Sequence, residues 1–317
     1  MWKSLHMITP VISTTFASFG SMYRGIGTDF IDYLFIDEAG QASPQQAAGG
    51  LWRAKRAVVV GDPLQIEPVV TTDKTVLEDL KRHFAVEDRY IGTNTSVQAL
   101  ADLTNPYGTY IGDDHWIGTP LWVHRRCKNP MFTISNKIAY ENRMVLPPPQ
   151  KETGESIWFD CKGKAVNRHY VKEQGEIAAD QILARFHQEN QLPDVYVITP
   201  FTSVKEGLKQ DIENKLKEEN VGKNELKLWL EKAVGTVHTF QGKEADVVYV
   251  VTGTDPGSDG AANWSCSTPN LLNVAVTRAK KELYIIGDYQ RFSKKQYYQT
   301  IVEQIGEMRK EQASVKE

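Results

Sequence analysis

Short runs of Val, Ile, Leu, Phe and Tyr without polar interruption recur along this chain, and they constrain its fold class before any motif is read. The clearest are Val11-Ile12 and residues 33–36, 57–60, 195–198, 247–251 and 283–286. A strand wetted on one face alternates apolar and polar residues. A run that does not alternate is expected to be buried on both faces, as in a parallel sheet covered by helices. Helical stretches lie between the runs. One extends from Glu173 to Glu189 with Ile177, Ile182, Leu183 and Phe186 on its apolar face, and another from Ser203 to Glu219 spaces Leu208, Ile212 and Leu216 four apart. The Lys and Glu residues of the second helix read as a solvated face. The expected fold class is α/β, with two parallel-sheet units in tandem.

The 317 residues suit about two domains at roughly 150 residues each. We expect the first over residues 1–118, short of strands, the second over 119–306, and a charged, frayed tail over 307–317. Residues 105–118 and 255–269 are rich in turn formers and read as irregular. Three widely spaced cysteines, Cys127, Cys161 and Cys266, fit no disulfide framework, which points to a reducing, cytoplasmic setting. No run approaches the ~18 apolar residues of a membrane span, so no membrane partner is expected. His124 and Cys127 lack the second cluster that a structural zinc site needs. A net charge of −3 neither favours nor excludes a local basic groove.

Four segments carry candidate chemistry. The run at 33–36 ends in Asp37-Glu38. One acid could hold Mg²⁺ while the next activates water, and two surface carboxylates in a turn would look the same. A second strand-like run enters Gly61-Asp62-Pro63-Leu64-Gln65. There Gly61 permits close backbone approach, and Gln65 carries an amide suited to sensing a phosphate and its water. The third segment, residues 234–244, places small and hydroxyl residues before Gly242 and Glu244, and it also fits an ordinary loop. The fourth, residues 273–280, is an apolar helix carrying Arg278, open to a structural salt bridge or to an arginine finger on a phosphoryl group.

In this order the four segments resemble the motor core of superfamily 1 helicases, in the branch of the nonsense-mediated decay RNA helicase and its DNA-acting relatives. Asp37-Glu38-Ala39-Gly40-Gln41 resembles the Walker B box, residues 61–68 the third motif, 235–244 the fifth and 273–280 the sixth. His124-Arg125-Arg126-Cys127 is similar to the fourth in a looser frame. The resemblance implies two RecA-like domains of P-loop NTPase type that use ATP and Mg²⁺. It implies Asp37 as the metal acid, Glu38 as the water-activating acid and Gln65 as the coupling amide. Arg126 and Arg278 would be the phosphate-facing arginines, and Glu244, beside Gly242, the ribose contact. Single-stranded DNA or RNA would follow Thr14, Thr15, Pro200, Phe201, Thr236, His238 and Thr239, mainly by its backbone. Phe201 also fits buried packing.

One element of the family pattern is absent. A Walker A loop reads Gly-x-x-x-x-Gly-Lys-Ser/Thr. The Gly-Lys pairs here, at Gly163, Gly222 and Gly242, are followed by Ala165, Asn224 and Glu244 after their lysines. The expectation is therefore the C-terminal portion of a helicase whose N-terminal Walker A segment lies elsewhere in the parent protein, and which hydrolyses ATP negligibly alone. A non-catalytic nucleic-acid-binding or regulatory module is the alternative. A nuclease would need a further cluster of acids.

Overall fold

The computed structural model describes residues 2–90, 92, 95–112, 115–148, 154–305 and 307–310. They form two compact units. One holds the residues up to Pro63 together with Glu67–Pro120. The other holds Leu64–Ile66 together with the chain from Leu121 on.

In the first unit, β1 (Ile31–Ile36) and β2 (Ala54–Val59) pair in parallel from Ile31↔Ala54 to Ile36↔Val59. The helix Pro44–Arg53 connects them. It begins with Pro at its first position, where no amide donor is needed, and Gln46 Oε1 accepts from Ser43 N at 3.0 Å. A small core of Ile36, Ala39, Ala42, Ala47 and Val97 lies beneath. The expectation of strands buried on both faces fails here, because Tyr33 is 53% and Phe35 70% exposed. Val11-Ile12 forms no strand either. Those residues lead into the helix Phe16–Met22, and two apolar residues are too few to pair. Residues 105–118, read as irregular, contain an antiparallel hairpin of β3 (Gly108–Ile111) and β4 (His115–Gly118).

The second unit matches the reading from apolar runs. Six parallel strands lie in the order β12-β5-β11-β10-β8-β9. They are β5 (Glu155–Asp160), β8 (Val195–Thr199), β9 (Val234–Thr236), β10 (Ala245–Val251), β11 (Ala279–Gly287) and β12 (Glu307–Lys310). A small side hairpin joins β6 (Ala165–Asn167) to β7 (Tyr170–Val171). Successive side chains point to opposite faces. Ile157, Val197, Tyr249 and Ile286 therefore join the core under the helices Lys172–Glu189, Thr202–Leu216 and Lys223–Ala233. The helices Met131–Ala139 and Asn270–Thr277 pack on each other and on β11. Leu208, Ile212 and Leu216 are fully buried, as their spacing predicts.

Residues 307–310, expected in a frayed tail, add an edge strand to β5, and 311–317 lie outside the described residues. Residues 255–269 include the helix Asp259–Trp264 rather than a purely irregular segment. No helix among the described residues is long and apolar enough to cross a membrane.

Candidate functional site

In the first unit the two acids sit where β1 ends, and the sequence folds tightly there. Ala39 N donates to Val60 O at 2.9 Å, so the segment after β1 runs against the segment after β2. A side-chain carbon at Gly61 would stand 2.5 Å from Gly40 N, and one at Gly40 would stand 2.6 Å from Asp62 O. Both positions therefore need glycine, and the close approach expected of Gly61 is realised. Glu38 adopts φ 53°, a left-handed conformation uncommon for a residue with a side chain. Gln41 Nε2 donates to Glu38 Oε2 at 2.9 Å and fixes that carboxylate. Asp37 is exposed, and its Oδ1 accepts from Glu38 N at 2.9 Å. One free-standing acid suits Mg²⁺, which takes one or two carboxylates and fills its remaining positions with water and substrate phosphates. The described residues hold no group of three or more His, Cys, Asp or Glu that could cage a metal.

Thr14 and Thr15 belong to the same unit. Thr15 Oγ1 accepts from Ser18 N at 3.4 Å and caps the helix Phe16–Met22, while the Thr14 hydroxyl points to Thr15 O at 3.5 Å. The Thr15 hydroxyl thus has a structural task, and both residues remain exposed.

In the second unit the parallel strands separate the candidate residues onto two ends of one sheet. At the N-terminal ends of β10 and β11, Arg126 Nε meets Glu244 Oε2 at 3.1 Å. Lys280 Nζ lies 3.4 Å from Glu244 Oε1 and 3.5 Å from Asp246 Oδ1, and Lys281 holds the other oxygen of Asp246 at 2.6 Å. The structure thus brings Arg126 and Glu244 together from distant sequence. It adds Lys280, which the sequence places in the sixth motif without a role.

Arg278 requires a correction. It is 0% exposed and faces inward, so in this structure it is not a phosphate-facing finger. Its Nη1 donates to Lys243 O at 2.7 Å, its Nε to Val274 O at 3.1 Å and its Nη2 to Thr277 Oγ1 at 3.3 Å. The guanidinium ties the 240–243 turn to the helix Asn270–Thr277. Gly242, at φ +75°, lets that turn close.

Gln65 groups with this unit, where its carbonyl accepts from Asn270 Nδ2 at 2.6 Å. Next to it, Leu64 O accepts from Asn273 Nδ2 at 3.0 Å. Asn273 is buried, and its Oδ1 accepts from the Ser135 hydroxyl at 2.7 Å.

His124 Nε2 accepts from Cys127 N at 2.9 Å and lies 3.0 Å from Cys127 Sγ. Burial lowers the imidazole pKa to about 4, with Arg126 adding to the effect, and burial pushes the thiol up to about 12. A neutral ring against a protonated thiol is packing, not an activated nucleophile.

The C-terminal ends of β8 and β9 carry the other group. The pairing Thr199↔Thr236 sets Pro200 beside the turn that follows β9. In that turn, Val237 and Phe240 are buried while Thr236, His238 and Thr239 face outward or lie at the surface. Thr236 Oγ1 and Thr239 Oγ1 are 3.2 Å apart. A side-chain carbon at Gly235 would come within 2.9 Å of Phe240 and Thr239, so glycine lets the turn fold back. Desolvation lowers the His238 pKa below its ordinary 6.5, which leaves the ring neutral at pH 7. Phe201, in contrast, is 7% exposed and belongs to the core, so its ring packs rather than stands free for stacking.

A helix-covered sheet of six parallel strands in the order β12-β5-β11-β10-β8-β9 is an α/β domain of RecA-like type. The chain belongs to the AAA domain family, whose models match residues 123–290, more than half of its length, and residues 6–73. Within it the chain is a superfamily 1 helicase domain of the nonsense-decay branch. The regulator of nonsense transcripts 1 of Dictyostelium discoideum is 23% identical over 85% of this chain and 19% of its own length. The DNA replication ATP-dependent helicase/nuclease DNA2 of Gallus gallus is 23% identical over 90% of this chain and 26% of its own. The chain therefore spans about a tenth to a quarter of the length of the curated relatives it matches. Among solved structures, the arterivirus nonstructural protein 10 helicase covers 85% of this chain and 42% of its own, at 17% identity and a TM-score of 0.41.

Proposed function

We propose that this chain is part of an ATP-driven motor that moves along single-stranded DNA or RNA, with the nucleotide and the strand served by opposite ends of the second sheet. The observation that carries this reading is that separation itself. Arg126, Glu244 and Lys280 gather at the N-terminal ends of β10 and β11, while Pro200, Thr236, His238 and Thr239 gather at the C-terminal ends of β8 and β9. A rigid sheet between two ligand faces can transmit a shift at one end to the other.

In this proposal Asp37 would hold Mg²⁺, and Glu38, oriented by Gln41, would take the proton of an attacking water. Gln65 couples the phosphate to motion. Bound ATP with Mg²⁺ supplies the phosphoryl group whose loss drives the cycle. Arg126 is the candidate phosphate-facing cation. Glu244 with Gly242 would contact the ribose. Arg278 holds the fifth-motif turn in shape. Thr14 and Thr15 are the candidate strand contacts of the first unit. The hydroxyls and the neutral His238 suit a sugar-phosphate backbone read without sequence preference. A reducing, cytoplasmic setting belongs to this proposal and rests on three buried free cysteines.

The alternative, a nucleic-acid-binding module without catalysis, draws support from the inward Arg278. ATP turnover decides between them. Residues 1–317 alone should turn over ATP negligibly, and the same chain joined to its parent's Walker A segment should show strand-stimulated turnover. Robust turnover by residues 1–317 alone would overturn their expected inactivity, and no turnover after joining would overturn the motor reading.

A further inference from the structure

The C-terminal edge of the second sheet continues past β8 and β10 to β11, and there it opens into a cavity that none of the helicase-like motifs reaches. The cavity has a volume of about 640 Å³, within the roughly 300–1,000 Å³ of ligand sites. Its lining includes Asp259, Asn263, Ser267, Arg291, Lys294 and Lys295. Three cations thus face one carboxylate, in a chain whose formal net charge is −3.

Two of the cations are fixed. Arg291 Nη2 donates to Asp259 Oδ1 at 2.7 Å and its Nη1 to Thr254 O at 3.0 Å, and Lys295 Nζ donates to Asn263 Oδ1 at 2.6 Å and lies 3.4 Å from the same Asp259 Oδ1. Lys294 is exposed and has no carboxylate partner among the described residues. Lys162 reaches the same rim through Gln290 Oε1 at 2.8 Å.

A row of rings leads to this cavity from the proposed strand face. The His169 ring lies 4.7 Å from that of Phe201, and Phe201 lies 5.9 Å from Trp264. Phe201 is buried, whereas Trp264 is 52% exposed. The free aromatic surface is therefore one ring further out than the motif suggests. Trp264 ends the same short helix that supplies Asn263 to the cavity wall, and the Ser267 hydroxyl donates to Trp264 O at 3.0 Å. A free phosphate would use the cations and leave the indole idle. A lone base would do the reverse. A single strand uses both, since its bases stack on exposed rings while its phosphates meet neighbouring cations.

We infer that Trp264 and the Arg291–Lys294–Lys295 cavity form an accessory single-strand site, with a base on the indole and the adjoining phosphates at Lys294 and Lys295. The inference rests on the C-terminal end of the sheet being the nucleic-acid face. It extends that face from β8 and β9 across to β11.

The test is fluorescence anisotropy of labelled oligo(dT) and oligo(U) with residues 1–317, across a salt series, with photo-cross-linking of a 5-iodouridine strand. Trp264→Ala should weaken binding roughly 5- to 150-fold while Trp264→Phe retains most of it. Lys294→Ala, a surface change that cannot unfold the unit, should lower the salt slope by about 0.7 for each phosphate the lysine neutralises in the wild type. Cross-links should fall within residues 259–267. If Trp264→Ala and Lys294→Ala bind as wild type while the His238→Ala/Thr239→Ala double variant weakens, the accessory site is wrong and the strand face stands. If wild type binds no strand at all, both are wrong. Calorimetric binding of inorganic phosphate that Lys294→Ala abolishes, with strand affinity unchanged, would assign the cavity to a free anion and also overturn the inference.

Discussion

The strands β1 and β10 begin from the same kind of sequence and end in different environments. Both are apolar runs beside a motif, β1 leading into one and β10 following one, yet Phe35 in β1 is 70% exposed while Val248, Val250 and Val251 in β10 are at most 2% exposed. In the second unit, six strands lie beneath helices on both faces. In the first, two parallel strands pair only with each other among the described residues. An unalternating run therefore reports what a strand is suited to, and the surrounding elements decide whether it is covered.

The sharpest way to break this comparison is to remove equivalent side chains from each sheet. Ile285→Ala should cost about 2–5 kcal/mol, because it empties a fully buried site. Phe35→Ala should change stability by less than about 0.5 kcal/mol, since most of its surface is already wet. Urea denaturation of both variants checks this, and a large loss for Phe35→Ala would mean that its face is covered in solution.

A second contrast sets two arginines against each other. Arg278→Ala should cost about 3 kcal/mol or more, because buried carbonyls and a hydroxyl lose their donor together. Arg126→Ala, which opens a partly exposed ion pair, should cost about 0–1 kcal/mol. Equal costs would place Arg278 at the surface and return it to the role of a phosphate-facing finger.

His124 gives a smaller effect that depends on pH. Its folded pKa is about 4 against an ordinary 6.5, so the unfolded chain binds the proton more readily. The associated stability should be fully present above about pH 6.5. It should fall, by up to about 3 kcal/mol, as the pH drops from 6.5 to 4. Denaturation midpoints across that window should lose this slope in His124→Gln. A slope that persists unchanged would assign it to other groups.

The sequence makes β8, β10 and β11 legible because their runs are long and β-branched. It hides β5, where Ser156 and the flanking Glu155 and Asp160 interrupt the pattern around Trp158. That indole is fully buried and donates to Gly287 O at 2.9 Å, a contact that exists only after the sheet forms. The site divides in the same way. Gly61 is readable as a close-approach glycine, since backbone crowding follows from local turn chemistry. The inward turn of Arg278 is not, because its acceptors come from the 240–243 segment and the preceding helix together. Trp264 escapes a reading of the sequence because it stands in a stretch whose turn signals outweigh a single ring.

Opposite ends of one sheet should respond separately, and strand binding measures this directly. Anisotropy of a labelled single strand with residues 1–317 should weaken at least about fivefold in the His238→Ala/Thr239→Ala double variant, the equivalent of roughly one good hydrogen bond. It should stay within about twofold of wild type in Glu244→Ala. Equal losses at both ends, or a larger loss in Glu244→Ala, would contradict the assignment of the two faces.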